Sequence, residues 1–533
     1  MKQTLTVNQR NLEWAIRQAV QPMQTFFDPA KEMLPFFHNL MIGEAKIGNG
    51  HHESFSMSHV PGRWLNALLH AEDAVGIHLE EDKIEILQMW VYRSVSDKSI
   101  FPLCLSLDTM NPKPYVDLHN LREVMHALTA LYRFRNDSKA YRLACRLING
   151  VDLYFDFEHF CFLTEKYKTQ TGFTPICCAS TKGEPPLAFP LTFGRYIGPL
   201  VKFYEATGYP KALDQAIRLK DACLKHLFCT KTGYQSTTFG CHTHSTTSMF
   251  SSLAQLARVT GDTDLLLIIQ DNMINSLPSI SSDFGWCVEN DRRSDLIGES
   301  NNTADLLEIC LILGQAGFPD YYRRSERILM NHLLPSQLMD LSFLAPENNE
   351  CWRQSGLSKE DYCDLVTRIK GAFGFPLPFG YPNDHVGFNW DVVGGVTSAL
   401  CEAWRHRVLK EDRLTSIQLL YNYRGDDFQL EDPYGNGGIA TIIYHRPVNI
   451  RLLLPEHIDR CQIQVRGADY YMDKHWLYII GDTLEKVNIH LPFTETILTE
   501  NFHGTRLSYK MQGDKVIAAQ TGGAKLSFFP ENK

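Results

Sequence analysis

Residues 285–305, GWCVENDRRSDLIGESNNTAD, gather five carboxylates (Glu289, Asp291, Asp295, Glu299, Asp305), Arg292 and Arg293, and the amides Asn301 and Asn302. Glycoside hydrolysis needs two carboxyl groups, one to protonate the leaving oxygen and one to act as base or nucleophile. Glu299 opens the apolar run ESNNTADLLEICLILGQ. A partly buried carboxyl there would have a raised pKa and suit a general acid. The alternative is a first-turn acid favoured by the helix dipole. Glu289 and Asp391, the latter after the aromatic FNW and before Gly394-Gly395, are the candidates for the second carboxylate. Asp305 and Glu308 lie further into the helix and suit internal polar contacts.

Other polar groups surround these acids in the sequence. His242 and His244, in CHTHS, can hold sugar hydroxyls or cap the helix that follows. An HxH pair can also ligate zinc, with Cys241 or Cys177-Cys178 as conceivable partners. The spacing supplies no regular third and fourth ligand, so neither metal nor cofactor is expected. Arg292, Arg293 and Arg368 either balance the acids or receive the carboxylate of an acidic sugar in a bidentate way. Trp390, with Trp286, Phe375 and Phe388, offers rings for stacking on a sugar face or for rim packing. No phosphate-binding glycine loop, GxSxG elbow or HExxH element is present.

The elements that must carry these groups repeat. An apolar helix, a turn at Gly76, Asn136, Gly208, Gly261 or Gly317, and a second helix recur at broadly similar intervals along the chain. Such a turn residue suits a left-handed C-cap, and Asp262, Pro210 or Pro319 suits the next helix start. A hairpin of this kind cannot bury its apolar stripes alone. Five hairpins and a helix at 395–407 make about six, which predicts a closed (α/α)6 toroid rather than an open solenoid, because the units differ in length and carry long insertions. The connections at 40–63, 160–192, 229–246, 282–303 and 370–394 then form the pocket rim. After about Leu409, β-rich runs separated by Gly, Asp, Asn and Pro replace the helical period and predict an antiparallel β-sandwich. The expected division is a toroid over 1–409 and a sandwich over 410–533.

Bulk properties bound the function. The 533 residues carry 52 basic and 61 acidic side chains, a net charge of −9, which disfavours a general nucleic-acid binder. No apolar window is long enough to predict a membrane span. The N-terminal MKQTLTVNQRNLEWAIRQAV reads as an amphipathic helix rather than a signal peptide. The 14 scattered cysteines read as reduced thiols. A cytoplasmic location is expected, or a periplasmic one if an export signal has been removed. An oligosaccharide is the expected partner, and the sandwich could mediate a homodimer.

The stretches HSTTSMFSSLAQLARVTGD, GESNNTADLLEICLILGQAGFPDYYRRSERILMNHLLPSQL, RIKGAFGFPLP and DVVGGVTSALCEAW resemble a bacterial group of six-hairpin glycosidases, nearest to glycoside hydrolase family 154 of β-glucuronidase type. More distantly, the C-terminal run IRLLLPEHIDRCQIQVRG is similar to the sandwich of family 127 β-L-arabinofuranosidases. The first resemblance implies an exo-acting glycosidase removing terminal β-linked glucuronic acid. The second matches Glu289 and Glu299 to the two glutamates of family 127 and His242 to a pocket histidine, and Glu289, Glu299 and Asp391 are the expected catalytic residues. His242, His244, Asn301, Asn302, Arg292, Arg293, Arg368 and Trp390 would bind the sugar. In family 127 a Glu-x-Cys element and a Cys-Cys pair bind zinc, and one cysteine is the nucleophile. Here those positions read Asn301 and Gly394-Gly395, so a two-carboxylate mechanism replaces the thiolate. A lyase or hydratase on unsaturated uronides, an arabinofuranosidase-like hydrolase and a non-catalytic carbohydrate-binding toroid are the alternatives.

Overall fold

The computed structural model describes residues 3–8, 10–42, 46–53, 55–104, 113–180, 187–228, 239–290, 296–344, 364–382, 387–411, 414–481, 486–502, 504–520 and 524–531. Side-chain surroundings at 39–49 and 387 are left aside.

Helices dominate the chain as far as His406, and sheets the remainder. Twelve helices organise the site: α1 (Leu12–Met23), α2 (Ser56–Val75), α3 (Glu81–Ser94), α4 (Leu121–Arg135), α5 (Ser138–Tyr154), α6 (Ile197–Thr207), α7 (Pro210–Leu227), α8 (Thr243–Thr260), α9 (Thr263–Asn275), α10 (Ser300–Gln315), α11 (Asp320–Ile328) and α12 (Trp390–His406). α2 packs on α4, α4 on α6, α6 on α8, α8 on α10, α10 on α12, and α12 returns to α2. Outside this ring α3, α5, α7, α9 and α11 each pack on the helix that precedes them in the chain. α12 is followed by the sheet region. Its outer neighbour is α1, from the other end of the sequence.

Burial separates the two layers. α8 and α10 bury nearly every residue of their first four turns, polar ones included, whereas α5 and α7 bury one stripe. An outer helix needs only one apolar face. An inner helix is enclosed all round, so its polar side chains must find partners inside. The five turn residues all take positive φ, from 53° at Asn136 to 102° at Gly317, the left-handed C-cap geometry.

The C-terminal sheets form two five-stranded layers. One runs 408–410, 415–417, 450–453, 476–480, 469–473, and the other 423–424, 428–431, 439–444, 486–490, 464–466. Ile417, Ile450, Leu452, Leu477 and Ile479 of the first share a core with Phe428, Leu430, Ile442, Val487 and Ile489 of the second. One pairing departs from the antiparallel expectation: Thr415–Ile417 runs parallel to Ile450–Leu453. Between these two strands the chain lays three strands into the other sheet, and it returns in the original direction. A further sheet at 495–519 belongs to the helical core instead, through Phe502, Leu507, Tyr509, Met511 and Val516. Arg10 ties the parts together, donating to Glu326 (3.0 Å), Asp432 (2.7 Å) and the Leu420 carbonyl (2.6 Å).

No described helix is long and apolar enough to cross a membrane. None of the described cysteines is in a disulfide.

Candidate active site

The six inner helices start at 56, 121, 197, 243, 300 and 390, and their first turns deliver the polar cluster. Glu299 is the N-cap residue of α10. Its position is set by a short antiparallel ladder: Val288 bridges Gly298, the Glu289 N–H donates to the Ile297 carbonyl (2.9 Å), and the Glu299 N–H donates to the Cys287 carbonyl (3.1 Å). Residues flanking a bridged pair share one face, so Glu289 and Glu299 are diagonal neighbours there. Asn290 bridges His242, which binds the ladder to the start of α8. Asp391 enters from the first turn of α12.

One amide joins the two helix-borne acids. Asn301 Nδ2 donates to Glu299 Oε1 (2.8 Å) and lies 3.4 Å from Asp391 Oδ2. The two carboxyl groups differ in charge state. Burial, with Asp391 and Glu289 close by, pushes the Glu299 carboxyl up to about 8. Burial also opposes ionisation of Asp391, but the His59 ring and the Arg63 guanidinium outweigh it and hold Asp391 below its ordinary value. At neutral pH, Glu299 therefore carries a proton and Asp391 a charge. Glu289 is half-buried, and its carbonyl accepts from Thr243.

An ion cluster centred on the fully buried Glu123 sits beneath the acids. Glu123 Oε1 accepts from Arg63 (3.0 and 3.1 Å), Arg195 (2.6 Å) and Arg122 (3.3 Å). Burial works against its charge, yet Arg195, His59, Arg63 and Arg122 hold it well below the usual carboxylate range. Arg63 Nη1 reaches to 4.0 Å from Asp391, and His59 spans Asn120 (2.8 Å) and Asp391 (3.5 Å). The His59 and His119 rings stack at 5.6 Å, His119 meets His242 at 5.7 Å, and His242 meets His244 at 5.9 Å. Burial, and then the nearby guanidinium groups, keep His244 neutral. Neutral imidazoles can both donate to and accept from hydroxyls.

Sequence reading missed His119, Asn120, Arg122, Glu123 and Arg195. The available signal is the run DLHNLREVMH, whose charged and amide groups open a helix that is otherwise apolar.

Of the candidates singled out above, Glu299, Asp391, His242, His244 and Asn301 come together, with Glu289 on the adjoining ladder. Asn302 supports them from behind, donating to Thr243 Oγ1 (2.8 Å) and the Val288 carbonyl (3.0 Å). Arg292 and Arg293 lie outside the described residues. Trp390 requires a correction: its ring is fully buried and stacked on Phe26 at 4.1 Å, so it offers no face to a sugar. Trp286 and Phe388 are likewise fully buried. Arg368 lies over Phe26 at 4.5 Å and donates to the Thr25 carbonyl, which places it at α1 rather than among the acids.

The glycines of α12 make room for the bridge. A Cβ on Gly395 would lie 2.0 Å from Asn301 Oδ1 and 2.7 Å from Arg63 Nη1. Gly395→Ala is expected to drive the Asn301 amide off its two carboxylates and, if these acids are catalytic, to lower kcat/KM at least tenfold. The gain in helix propensity of about 1 kcal/mol is set against about 1–3 kcal/mol of overpacking. The net stability change is then about 0–2 kcal/mol, and paired kinetic and thermal measurements separate it from the loss of activity.

No family model matches the chain, and no curated protein matches it. Solved structures do. A family 127 β-L-arabinofuranosidase from Geobacillus stearothermophilus T6 aligns at 12% identity and a TM-score of 0.53, covering 95% of this chain and 80% of that one. A second family 127 β-arabinofuranosidase aligns at 14% identity and a TM-score of 0.58, covering 96% and 84%. A chain described as a glycoside hydrolase gives 10%, 0.53, 92% and 85%. Identities this low show a shared fold. The zinc that the family 127 resemblance implies does not fit at the matching positions. Asn301 and Gly394-Gly395 bring no thiolate, and the Asn301 amide fills the space beside Gly395.

Proposed function

We propose that the protein is a glycoside hydrolase that removes a terminal sugar by carboxylate chemistry, on an (α/α)6 toroid followed by a β-sandwich. The observation that carries this reading is the pair Glu299 and Asp391, one proton-loaded and one ionised, bridged by Asn301. Glu299 donates its proton to the leaving oxygen, and Asp391 acts on the opposite side of the sugar as nucleophile or base. Glu289 shares the ladder face and is held in reserve for the second role. Asn301 keeps one oxygen of each acid within reach of the other, and NMR of the first-formed anomer decides between retention and inversion, which the separation of the two carboxyl groups sets. His242 and the neutral His244 receive sugar hydroxyls.

Terminal β-linked glucuronic acid is the first substrate to test. Arg292 and Arg293 are the proposed partners of the uronate carboxylate, while Arg63, Arg122 and Arg195 donate to Glu123. The fold shared with two arabinofuranosidases favours L-arabinofuranosides as the second candidate. A panel of p-nitrophenyl glycosides decides between them. Release from the β-glucuronide alone, weakened in KM by Arg292→Ala or Arg293→Ala, supports the first. Release from an arabinofuranoside alone replaces it. Turnover of unsaturated uronides only would remove the hydrolase reading in favour of a lyase or hydratase.

The pH dependence has a definite sign. The acid must be protonated and its partner ionised, so kcat/KM should hold through neutrality and fall above about 8 as Glu299 loses its proton. The acid limb should lie below the ordinary aspartate range, because Asp391 is held low. A basic limb near 6 in the kcat/KM profile would remove Glu299 from the acid role.

A further inference from the structure

We propose that His242, His244 and Glu299 form a binding site for a divalent transition-metal ion. One ligand atom from each lies within 4.8 Å of the other two. The sequence alone predicts no metal, because the third ligand stands far along the chain from His244 and only the packing of α8 on α10 brings it close. Cys241 and Cys177-Cys178, the partners the sequence suggests, are not in the group.

Each ligand is oriented by a neighbour, as metal ligands require. Ser245 orients the His242 ring, its Oγ lying 2.8 Å from Nδ1. His244 Nδ1 faces Glu299 Oε1 at 3.7 Å, while its Nε2 lies 3.5 Å from Asp305 Oδ2. Asp305 is itself fixed by Thr247 Oγ1 at 2.8 Å and by Arg122 at 3.6 Å. This is the carboxylate–histidine arrangement found behind metal-bound imidazoles. Glu299 Oε1 accepts from Asn301. Ligands about 2.0–2.2 Å from a tetrahedral zinc are about 3.4 Å apart. The ligand atoms span up to 4.8 Å, so ion binding draws the set together, with the half-buried His242 as the member that moves. Two imidazoles and one carboxylate suit zinc, cobalt or nickel and leave a fourth position open. The set contains no thiolate, and only Glu299 falls on the Glu-x-Cys element that binds zinc in family 127.

The functional consequence rests on the hydrolase reading: a carboxylate bound to metal cannot deliver a proton, so the ion switches hydrolysis off. The test separates the two ideas. Metal-stripped protein is titrated with zinc chloride by calorimetry, and cobalt(II) is added in a parallel spectroscopic titration. The expected result is one ion per chain, binding weakened at least tenfold by His242→Gln and by His244→Gln, and a cobalt spectrum of tetrahedral type without a thiolate charge-transfer band. Circular dichroism verifies that both variants are folded. Should His244→Gln fail to fold, His242→Gln and the cobalt spectrum still decide. No zinc binding, unchanged binding in a folded variant, or a thiolate band would each overturn the site. Zinc binding in a protein that hydrolyses no glycoside would leave the site standing and sink only the hydrolase reading.

Discussion

Replacing Glu123 by Gln is expected to cost about 3–5 kcal/mol of stability, the range for removing one partner of a buried ion pair. The size of the effect follows from the number of cations that share one oxygen. Arg63, Arg122 and Arg195 all donate to Glu123 Oε1. Arg122 retains Asp305 at 3.6 Å, and Arg63 retains Asp391 at 4.0 Å. Arg195 has no other described anionic partner at ion-pair distance, is fully buried, and already has its pKa pushed down to about 10 by burial. The variant leaves that charge uncompensated. Arg195→Met in the Glu123→Gln background should recover part of the loss, because removing both members of a buried pair is far milder than removing one. A double-mutant cycle by denaturant or thermal unfolding measures this. The pH sign is fixed as well. Glu123 is depressed in the folded state, so its contribution is complete above the unfolded value of about 4.3 and is lost as pH falls through the folded value. The gap between wild type and variant should stay constant at neutral pH and narrow only in strong acid. Additive losses in the cycle would show that the cluster is not the unit described.

How far the sequence exposed this site depends on which physical signal each residue carried. The hairpin turns were legible because a left-handed C-cap restricts residue type: Gly76, Gly208, Gly261 and Gly317, with Asn136, all adopt it. Glu299 was legible because it opens an apolar helix, and its N-cap position follows from that. The outer partner of α12 was not legible, since α1 lies at the opposite end of the helical part of the chain and carries no mark of which helix it will cover. Glu123 was hidden for a related reason. Within LREVMHALTALYRF it looks like an ordinary helix acid, and only ring closure around α2, α4 and α6 shows it enclosed by guanidinium groups. Trp390 misled because an aromatic beside an acid looks like a sugar platform. In α12 successive side chains diverge by about 100°, and while Asp391 turns to the axis, Trp390 turns outward onto Phe26.

Glu299→Gln should lower kcat by about 10²–10⁴, the usual range for losing a general acid, with KM little changed. The carboxamide oxygen can still accept from Asn301, so the bridge to Asp391 stays and the proton alone is lost. That isolates the chemistry from the geometry. The deficit should also depend on the leaving group. An aryl glycoside whose phenol is acidic needs little protonation, so the variant should approach wild type on dinitrophenyl substrates and fall furthest behind on alkyl glycosides. Asp391→Asn should behave differently. On the proposed assignment its loss removes the group that meets the anomeric carbon, so activity drops for every leaving group, and added azide restores turnover if Asp391 is the nucleophile of a retaining reaction. Glu289→Gln is the control within the same ladder. Should it show the leaving-group dependence while Glu299→Gln does not, the proton donor is Glu289, and the raised pKa of Glu299 reflects a buried carboxyl kept neutral beside Asp391. The double variant Glu299→Gln/Asp391→Asn should lose little more than Asp391→Asn alone, because protonating a leaving group has no value once nothing attacks the other side.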